Sequence, residues 1–194
     1  MKDTMKKTFG SLTAKIAALL LAFGLGQAAW ALSGTGTSAD PYRIGTLADL
    51  QEFRDAVNGG NTYADQYIKL TANIDMSSVA DWESIGNGQR ASLYSGNAFS
   101  GTFDGDGKTI TGLNITTSSA AKSAKGLFGL VAGGTVKNFT LANVNVNLGS
   151  AGNNGGTGAA VGILAANGTV SGVTVSSGSV AGYQGVGGVV GRIM

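Results

Sequence analysis

A short apolar pattern recurs three times in the second half of the chain. It consists of an apolar residue, any residue, Gly or Asn, then apolar, any and apolar, at residues 110–115, 136–141 and 170–175, with starts 26 and 34 residues apart. A second marker, a Gly preceded by two apolar residues, occurs at residues 127–129, 160–162 and 189–191, with spacings of 33 and 29. Periods of roughly 20 to 50 residues are typical of stacked supersecondary units. The unequal spacing predicts loops of variable length, such as residues 149–158, between constant rungs.

The composition of these repeats favours strands over helices. Val, Ile, Thr and Asn dominate them, and β-branched side chains pack well on a pleated surface. Gly is 33 of the 194 residues, and Gly and Asn tolerate the positive φ angles that corners of a coil require. We therefore predict an all-β fold, a right-handed parallel β-helix with about three strands per rung, because parallel crossovers are right-handed.

One helix is predicted before the repeats. Thr46 can cap a helix over residues 47–57, with Asp49 at its third position, and an apolar stripe runs along one face: Leu47, Leu50, Phe53 and Val57. We expect this helix to cap the open end of the solenoid. From Tyr67 the period changes to two, which predicts one strand over residues 67–76. A strand or corner is expected at residues 82–86, and a loop at residues 87–97.

The first 31 residues have the three parts of a secretory signal peptide. Lysines make a basic start, residues 16–25 are apolar, and Ala29-Trp30-Ala31 is a small-x-small cleavage site. An uncleaved membrane anchor is the alternative, but glycines interrupt the apolar run where the cleavage site follows. The predicted organisation is a signal peptide at 1–31, a lead-in at 32–45, and a capped β-helix at 46–194. Localisation is therefore extracellular or at the cell surface.

Charge and composition exclude several classes of function. The 13 basic and 11 acidic residues become 9 and 10 once the four Lys and one Asp of the signal are removed, a net charge of −1. Such a chain lacks the basic patch of a nucleic-acid-binding protein. It has no Cys, and it has no His, the commonest general base and transition-metal ligand. We expect no catalytic residue, no cofactor and no metal ligand.

Two groups of residues are candidate sites. Asp104 and Asp106, in Asp104-Gly105-Asp106-Gly107, fit a tight turn before a strand, which is the favoured interpretation. A calcium site, or an acid and base pair of a polysaccharide-cleaving enzyme, stay open as alternatives. The aromatic residues around the long loop could stack on sugar rings, but we expect them to close the core: Trp82, Tyr94, Phe99 and Phe103.

The sequence resembles the GLUG-repeat proteins of bacteria. The motif is found in Gly126-Leu127-Phe128-Gly129 followed by Thr135-Val136-Lys137-Asn138, and again in Gly188-Val189-Val190-Gly191. The middle copy departs from it with Ala159 at the first glycine. The resemblance implies a secreted or surface protein, commonly an adhesin. GLUG repeats also occur as non-catalytic parts of immunoglobulin A specific metalloendopeptidases. The zinc-binding His-Glu-x-x-His signature of those enzymes is absent from this sequence.

These features predict a secreted or cell-surface protein that acts in adhesion or binding and is not an enzyme. Its partner would be a protein or glycan on a host or neighbouring cell. One alternative is a polysaccharide lyase or hydrolase on the same fold. Another is the amino-terminal part of a larger surface protein or GLUG-bearing peptidase, since the third apolar-Gly marker falls just before Met194. An unfinished rung there leads us to expect a longer or truncated gene product.

Overall fold

The computed structural model describes residues 32–87, 96–116, 124–149 and 155–194. The predicted signal peptide lies outside these residues. So do most of the predicted loop at 87–97, including Tyr94, and the middle of the predicted loop at 149–158.

The described residues form a β-solenoid of about three turns with one helix, α1, at Leu47–Asn58. The strands are β1 Tyr42–Ile44, β2 Tyr67–Leu70, β3 Ile74–Asp75, β4 Thr102–Thr111, β5 Asn114–Ile115, β6 Phe128–Ala132, β7 Thr135–Ala142, β8 Val144–Asn147, β9 Thr157–Gly158, β10 Val161–Ala165, β11 Thr169–Val175, β12 Gly178–Ala181, β13 Val186–Gly187 and β14 Val190–Ile193. Every pairing between these strands is parallel. The prediction of an all-β solenoid with one short helix is confirmed.

Successive turns of the chain stack in register to form four parallel sheets. The largest, here called the long sheet, has the order β1-β2-β4-β7-β11, with β3 also paired to β4. The others have the orders β5-β8-β12, β9-β13 and β6-β10-β14. The turns β7 to β10 and β11 to β14 therefore contain four strands rather than the expected three. The extra strand has only two residues, too short to be distinguished from a corner in the sequence.

The predicted alignment of the first pattern is confirmed for the copies that start at residues 136 and 170. It is wrong for the copy that starts at residue 110. Val170 pairs with Val136, as the pattern predicts. Ile110, however, pairs with Leu141, and Phe103 is the partner of Val136. The reason is that residues 110–115 span the end of β4 and all of β5, two strands that belong to different sheets. The apparent spacing of 26 residues therefore does not measure a rung.

Helix α1 begins where the sequence predicts and ends one residue later, at Asn58. The Asp49 N–H donates to the Thr46 side chain, and the Asp49 carboxylate accepts from the Thr46 N–H, which forms a capping box. The inner face of the helix is fully buried against the solenoid core through Leu50, Phe53 and Val57. The helix thus gains its stability from this packing as well as from its cap.

The predicted strand at residues 67–76 is interrupted. The structure has β2 and β3 with Thr71-Ala72-Asn73 between them, although the alternation of buried and exposed side chains continues throughout. Polar groups of the interruption bond to neighbouring turns instead: the Thr71 N–H donates to the Ile44 carbonyl, and Asn73 Oδ1 accepts from the Thr109 N–H. The period of two therefore predicts which side chains are buried, but it does not predict this interruption of the backbone hydrogen bonds between strands.

The aromatic residues near the first turns belong to the core. Trp82, Phe99 and Phe103 are at most 1% exposed, and the Trp82 indole donates to the Leu127 carbonyl at 3.1 Å. The interpretation that aromatics close the core is confirmed for these three. Sugar stacking on them is excluded by their burial. Tyr94, the fourth residue of the group, lies outside the described residues.

Candidate functional site

A line of polar side chains crosses five neighbouring strands of the long sheet on its outer surface. The register aligns Arg43, Lys69, Asp104, Lys137 and Ser171, which we call the charged column. The preceding residue of each strand points inward because side chains alternate between the faces of a strand. Adjacent strands lie ~4.8 Å apart, so side chains of the charged column are direct neighbours. The rungs that carry them are 26 to 35 residues apart in sequence.

The Asp104-Gly105-Asp106-Gly107 cluster forms a bulge in β4 beside this column. Four residue steps separate Asp104 from Lys108, whereas their partners Lys137 and Phe139 in β7 are two steps apart. Asp106 and Gly107 have φ angles of 49° and 72°, in the left-handed region. The turn interpretation therefore describes this segment, although the turn is a bulge within a strand rather than a connection before one. The bulge places the Asp106 carboxylate beside Lys69 of β2.

Each carboxylate of the bulge contacts a lysine from another turn of the solenoid. Asp104 Oδ2 lies 3.2 Å from Lys137 Nζ, and Asp106 Oδ1 lies 3.1 Å from Lys69 Nζ. Lys108 Nζ also lies 3.5 Å from Asp106 Oδ2. All five side chains are between 29% and 44% exposed, so these ion pairs are open to solvent. The two carboxylates consequently face different cations and not one shared ion.

The ionisation of the two carboxylates follows from these contacts. Hydrogen bonding and the charge of Lys69 lower the pKa of Asp106 below its ordinary value of 3.8. Partial burial of Asp104 opposes ionisation, but the Asp106 N–H, Lys137 and Asn138 donate to its carboxylate, so its pKa is also lowered. Both groups are therefore ionised at neutral pH. Neither is prepared to donate a proton, as a general acid in glycoside cleavage must.

The same residues do not form a metal site. Within the described parts of the chain, no group of three or more Asp, Glu, His or Cys side chains is placed to hold a metal ion. Calcium takes six to eight oxygen ligands, more than the four oxygens of the two carboxylates of the bulge. The lysine contacts give those oxygens other partners.

Two depressions adjoin Lys69 on the outer surface of the long sheet, and together we call them the Lys69 groove. The larger, about 440 Å³, is lined by Arg43, Lys69, Thr71 and Asp106 among others. The smaller, about 150 Å³, is lined by Tyr67, Lys69, Thr102, Asp104 and Lys137 among others. Ser38 and Pro41 border both. The groove therefore runs along the charged column from β1 to β7.

The border of the groove is held in place by hydrogen bonds. The Thr35 N–H donates to the Asp40 carbonyl at 3.1 Å, and the Tyr67 N–H donates to the Gly36 carbonyl at 2.9 Å. Arg43 forms an ion pair with Asp40. Residues 33–40 of the predicted lead-in thus fold back on β1 and β2 and form one wall of the groove, while β1, which the prediction placed in the lead-in at 32–45, is a strand of the long sheet.

The sequence identified the carboxylates of this site but not its cations. Arg43, Lys69 and Lys137 are distant from Asp104 and Asp106 along the chain, and only the register brings them together. One signal was available for Lys137, because it occupies the second, outward position of the apolar pattern at residues 136–141. Because the pattern placed a copy at residue 110, it aligned Lys137 with Thr111 instead of Asp104.

No family model matches the chain, and the GLUG-repeat resemblance stays a prediction. The chain is 41% identical over 118 residues to halomucin of Haloquadratum walsbyi, which covers 56% of this chain and 1% of halomucin. It is 32% identical over 114 residues to a protein of Evansella cellulosilytica named as a Gly-rich membrane protein, which covers 56% of this chain and 12% of that protein. The chain therefore spans only a small part of either relative.

The fold is similar to the crystal structure of a Bacteroides ovatus protein named as an immunoglobulin A1 protease. The TM-score is 0.52 with 22% sequence identity, and the match covers 83% of this chain and 55% of that one. At this level of identity the similarity shows a shared β-solenoid fold.

The described residues contain no helix long and apolar enough to span a membrane.

Proposed function

We propose that this chain is an exported, non-catalytic part of a cell-surface protein and binds a ligand through the outer surface of its long sheet. The Lys69 groove is the observation on which this proposal rests. It is the place where ion-paired cations and carboxylates from four strands, β1, β2, β4 and β7, border a concave surface. The ligand would be a protein or glycan of a host or neighbouring cell.

A surface location is supported by two independent features. One relative is named as a membrane protein, and it shares 32% identity over 114 residues with this chain. The basic start, apolar run and Ala29-Trp30-Ala31 site form the pattern of a cleaved signal peptide. Sequencing the amino terminus of the exported protein tests this part of the proposal, and we expect it to begin at Leu32. An intact residue 1 on exported protein would contradict cleavage.

The absence of catalysis is part of the proposal, and the pKa values of the bulge support it. A polysaccharide-cleaving site needs one protonated carboxyl beside one ionised carboxyl. The contacts of Asp104 and Asp106 lower both pKa values, so the pair lacks the required asymmetry. Depolymerisation of a polysaccharide by the purified chain, lost in the variant Asp106→Asn, would favour the enzyme alternative instead.

We also propose that the solenoid is right-handed and that the chain is a GLUG-repeat protein. The handedness is expected because parallel crossovers are right-handed in ~98% of cases. An experimental electron-density map of the chain would fix the hand directly.

A binding assay tests the function. The exported chain is applied to immobilised cell-surface glycans, matrix proteins and whole cells, together with the variant Lys69→Glu, which reverses the charge at the centre of the groove. Arg192→Glu in β14 is the matched control, because it makes the same charge change on a different sheet. We expect weaker binding by the Lys69 variant only. Lack of binding to every target would contradict the proposal.

A further inference from the structure

We infer that the Lys69 groove binds an oligosaccharide that carries carboxylate groups, such as an oligouronate. This inference rests on the proposed binding function and specifies its ligand. It follows from three properties of the groove: its local charge, its hydrogen-bonding groups and its length.

The local charge of the groove is positive in a chain that is otherwise acidic. Three cations line it, Arg43, Lys69 and Lys137, together with two carboxylates, Asp104 and Asp106, which gives 3 − 2 = +1. Residues 32–194 as a whole carry 9 basic and 10 acidic residues, a net charge of −1. Complementarity of charge therefore favours an anionic ligand at this surface.

Cations of the groove lie next to one another and share carboxylate partners. Arg43 and Lys69 are register partners on adjacent strands, and like charges directly opposite each other destabilise a sheet. Lys69 and Lys108 share one carboxylate, that of Asp106. An ammonium group donates up to three hydrogen bonds, so Lys69 retains donors for a ligand after contacting Asp106. Its side chain is 41% exposed, which leaves those donors accessible.

The remaining groups of the groove suit the hydroxyls and apolar faces of a sugar. Asp104, Asp106 and the hydroxyls of Thr71 and Thr102 accept hydrogen bonds from sugar hydroxyls. Tyr67 is 39% exposed at the smaller depression and offers a ring on which a sugar can stack.

The length of the groove indicates an oligosaccharide rather than a single sugar. The groove follows the charged column from Arg43 in β1 to Lys137 in β7, which are three strand spacings apart. At ~4.8 Å per spacing this distance is roughly 14 Å. Cations at both ends and at Lys69 then favour a ligand with repeated anionic groups.

The experiment measures binding of tetragalacturonate to the exported chain by calorimetry. Its fully methyl-esterified form is the matched ligand control, because it keeps the sugar units and removes the charges. The titrations are done at about 0.01 M and about 0.15 M salt. Between these concentrations the Debye length falls from ~30 to ~8 Å, so attraction between charges is screened more strongly. We expect binding of the acid form only, with weaker affinity at the higher salt concentration.

The protein variants are Lys69→Gln and Arg192→Gln. We expect the first to weaken binding by about tenfold or more, and the second to leave it unchanged within a factor of about two. Urea unfolding of both variants verifies that they are folded, since both side chains are partly exposed and substitutions at the surface usually alter stability by less than ~0.5 kcal/mol.

The outcomes separate this inference from the proposed function. Equal binding of the ester and the acid, or equal effects of the two variants, would overturn the choice of an acidic glycan. If tetragalacturonate does not bind while cells or matrix proteins bind in a Lys69-dependent manner, the inference fails and the proposed function stands. If nothing binds, both fail.

Discussion

The ring of Phe53 in α1 is stacked on the ring of Phe103 in β4, with 6.0 Å between their centroids and 20° between their planes. Phe53 also makes edge contacts with Tyr63, Phe99 and Phe128. A single helical side chain therefore joins the first turns of the solenoid and a strand of a second sheet, β6. The helix and the coil share one core as a result.

Replacing Phe53 by Ala should lower the free energy of unfolding by ~3–5 kcal/mol, because the change leaves a cavity among buried rings. Phe53→Leu should cost less, and it keeps the test valid if the alanine variant does not fold. Leu47→Ala in the same helix is the control, since Leu47 is only partly buried. Urea denaturation measures all three. Equal losses for Phe53 and Leu47 would show that the ring cluster does not join helix and coil.

The two glycines of the β4 bulge should respond differently to Ala. A Cβ on Gly105 would lie 2.7 Å from the Asn138 carbonyl oxygen and would overlap Phe139, whereas a Cβ on Gly107 would meet nothing within 4 Å. Gly107 has a φ of 72°, so Ala there costs ~1–2 kcal/mol through backbone strain alone. Gly105→Ala should cost ~3 kcal/mol, the upper part of the overpacking range. Thermal unfolding of both variants measures the difference, and the reverse order would contradict the packing of β4 on β7.

Removal of the helix cap should destabilise the chain without changing its fold. Thr46→Ala removes the acceptor for the Asp49 N–H, and the expected loss is ~0.5–2 kcal/mol. Thr46→Ser keeps the hydroxyl and is the matched control, with a loss of a few tenths at most. Far-ultraviolet circular dichroism during urea unfolding gives both values. A serine variant as unstable as the alanine variant would exclude the capping box as the cause.

The carboxylates of the bulge should titrate below their ordinary range. Carbon-13 NMR of the side-chain carboxyls is expected to give pKa values below 3.8 for Asp104 and Asp106 and above 4.5 for Glu52. The Asp106 value should rise in Lys69→Gln, because the Lys69 ammonium is the largest cause of its lowering. A value for Asp106 that does not change in this variant would show that the ion pair is not formed in solution.

These shifts also fix the sign of their effect on stability. Because the folded pKa values lie below the unfolded values, the ionised carboxylates favour the folded state above the unfolded pKa of ~3.9. The contribution is lost as the pH falls through the lowered folded values. Glu52 behaves oppositely: burial and the Asp49 charge raise its pKa, so protonation of Glu52 favours the folded state.

The sequence predicted those features that depend on local chemistry. The capped helix was predicted because Thr46, Asp49 and an apolar stripe are sufficient to define it, and the structure confirms its start at Leu47. The alignment of Val136 with Val170 was predicted because both strands keep the same spacing around a left-handed residue, Asn138 or Gly172.

Features that depend on the register between turns were not predicted. The true counterpart of residues 136–141 is residues 103–110, and it was missed because the bulge adds two residues to it and a bulge has no periodic signature. The Lys69 contact to Asp106 joins residues 37 positions apart, across adjacent strands. Such a contact follows only from a known register, and therefore the groove could not be located from the sequence.

The charged column has a further consequence for the fidelity of folding. Neighbouring turns of a glycine-rich coil resemble one another, so a strand can misfold by pairing with its neighbour in a shifted register. A slip of one residue would bring Lys69 or Lys137 into the core, and a slip of two would keep apolar residues inside but separate Lys137 from Asp104. The same ion pairs that border the groove thus favour the native alignment over its nearest competitor.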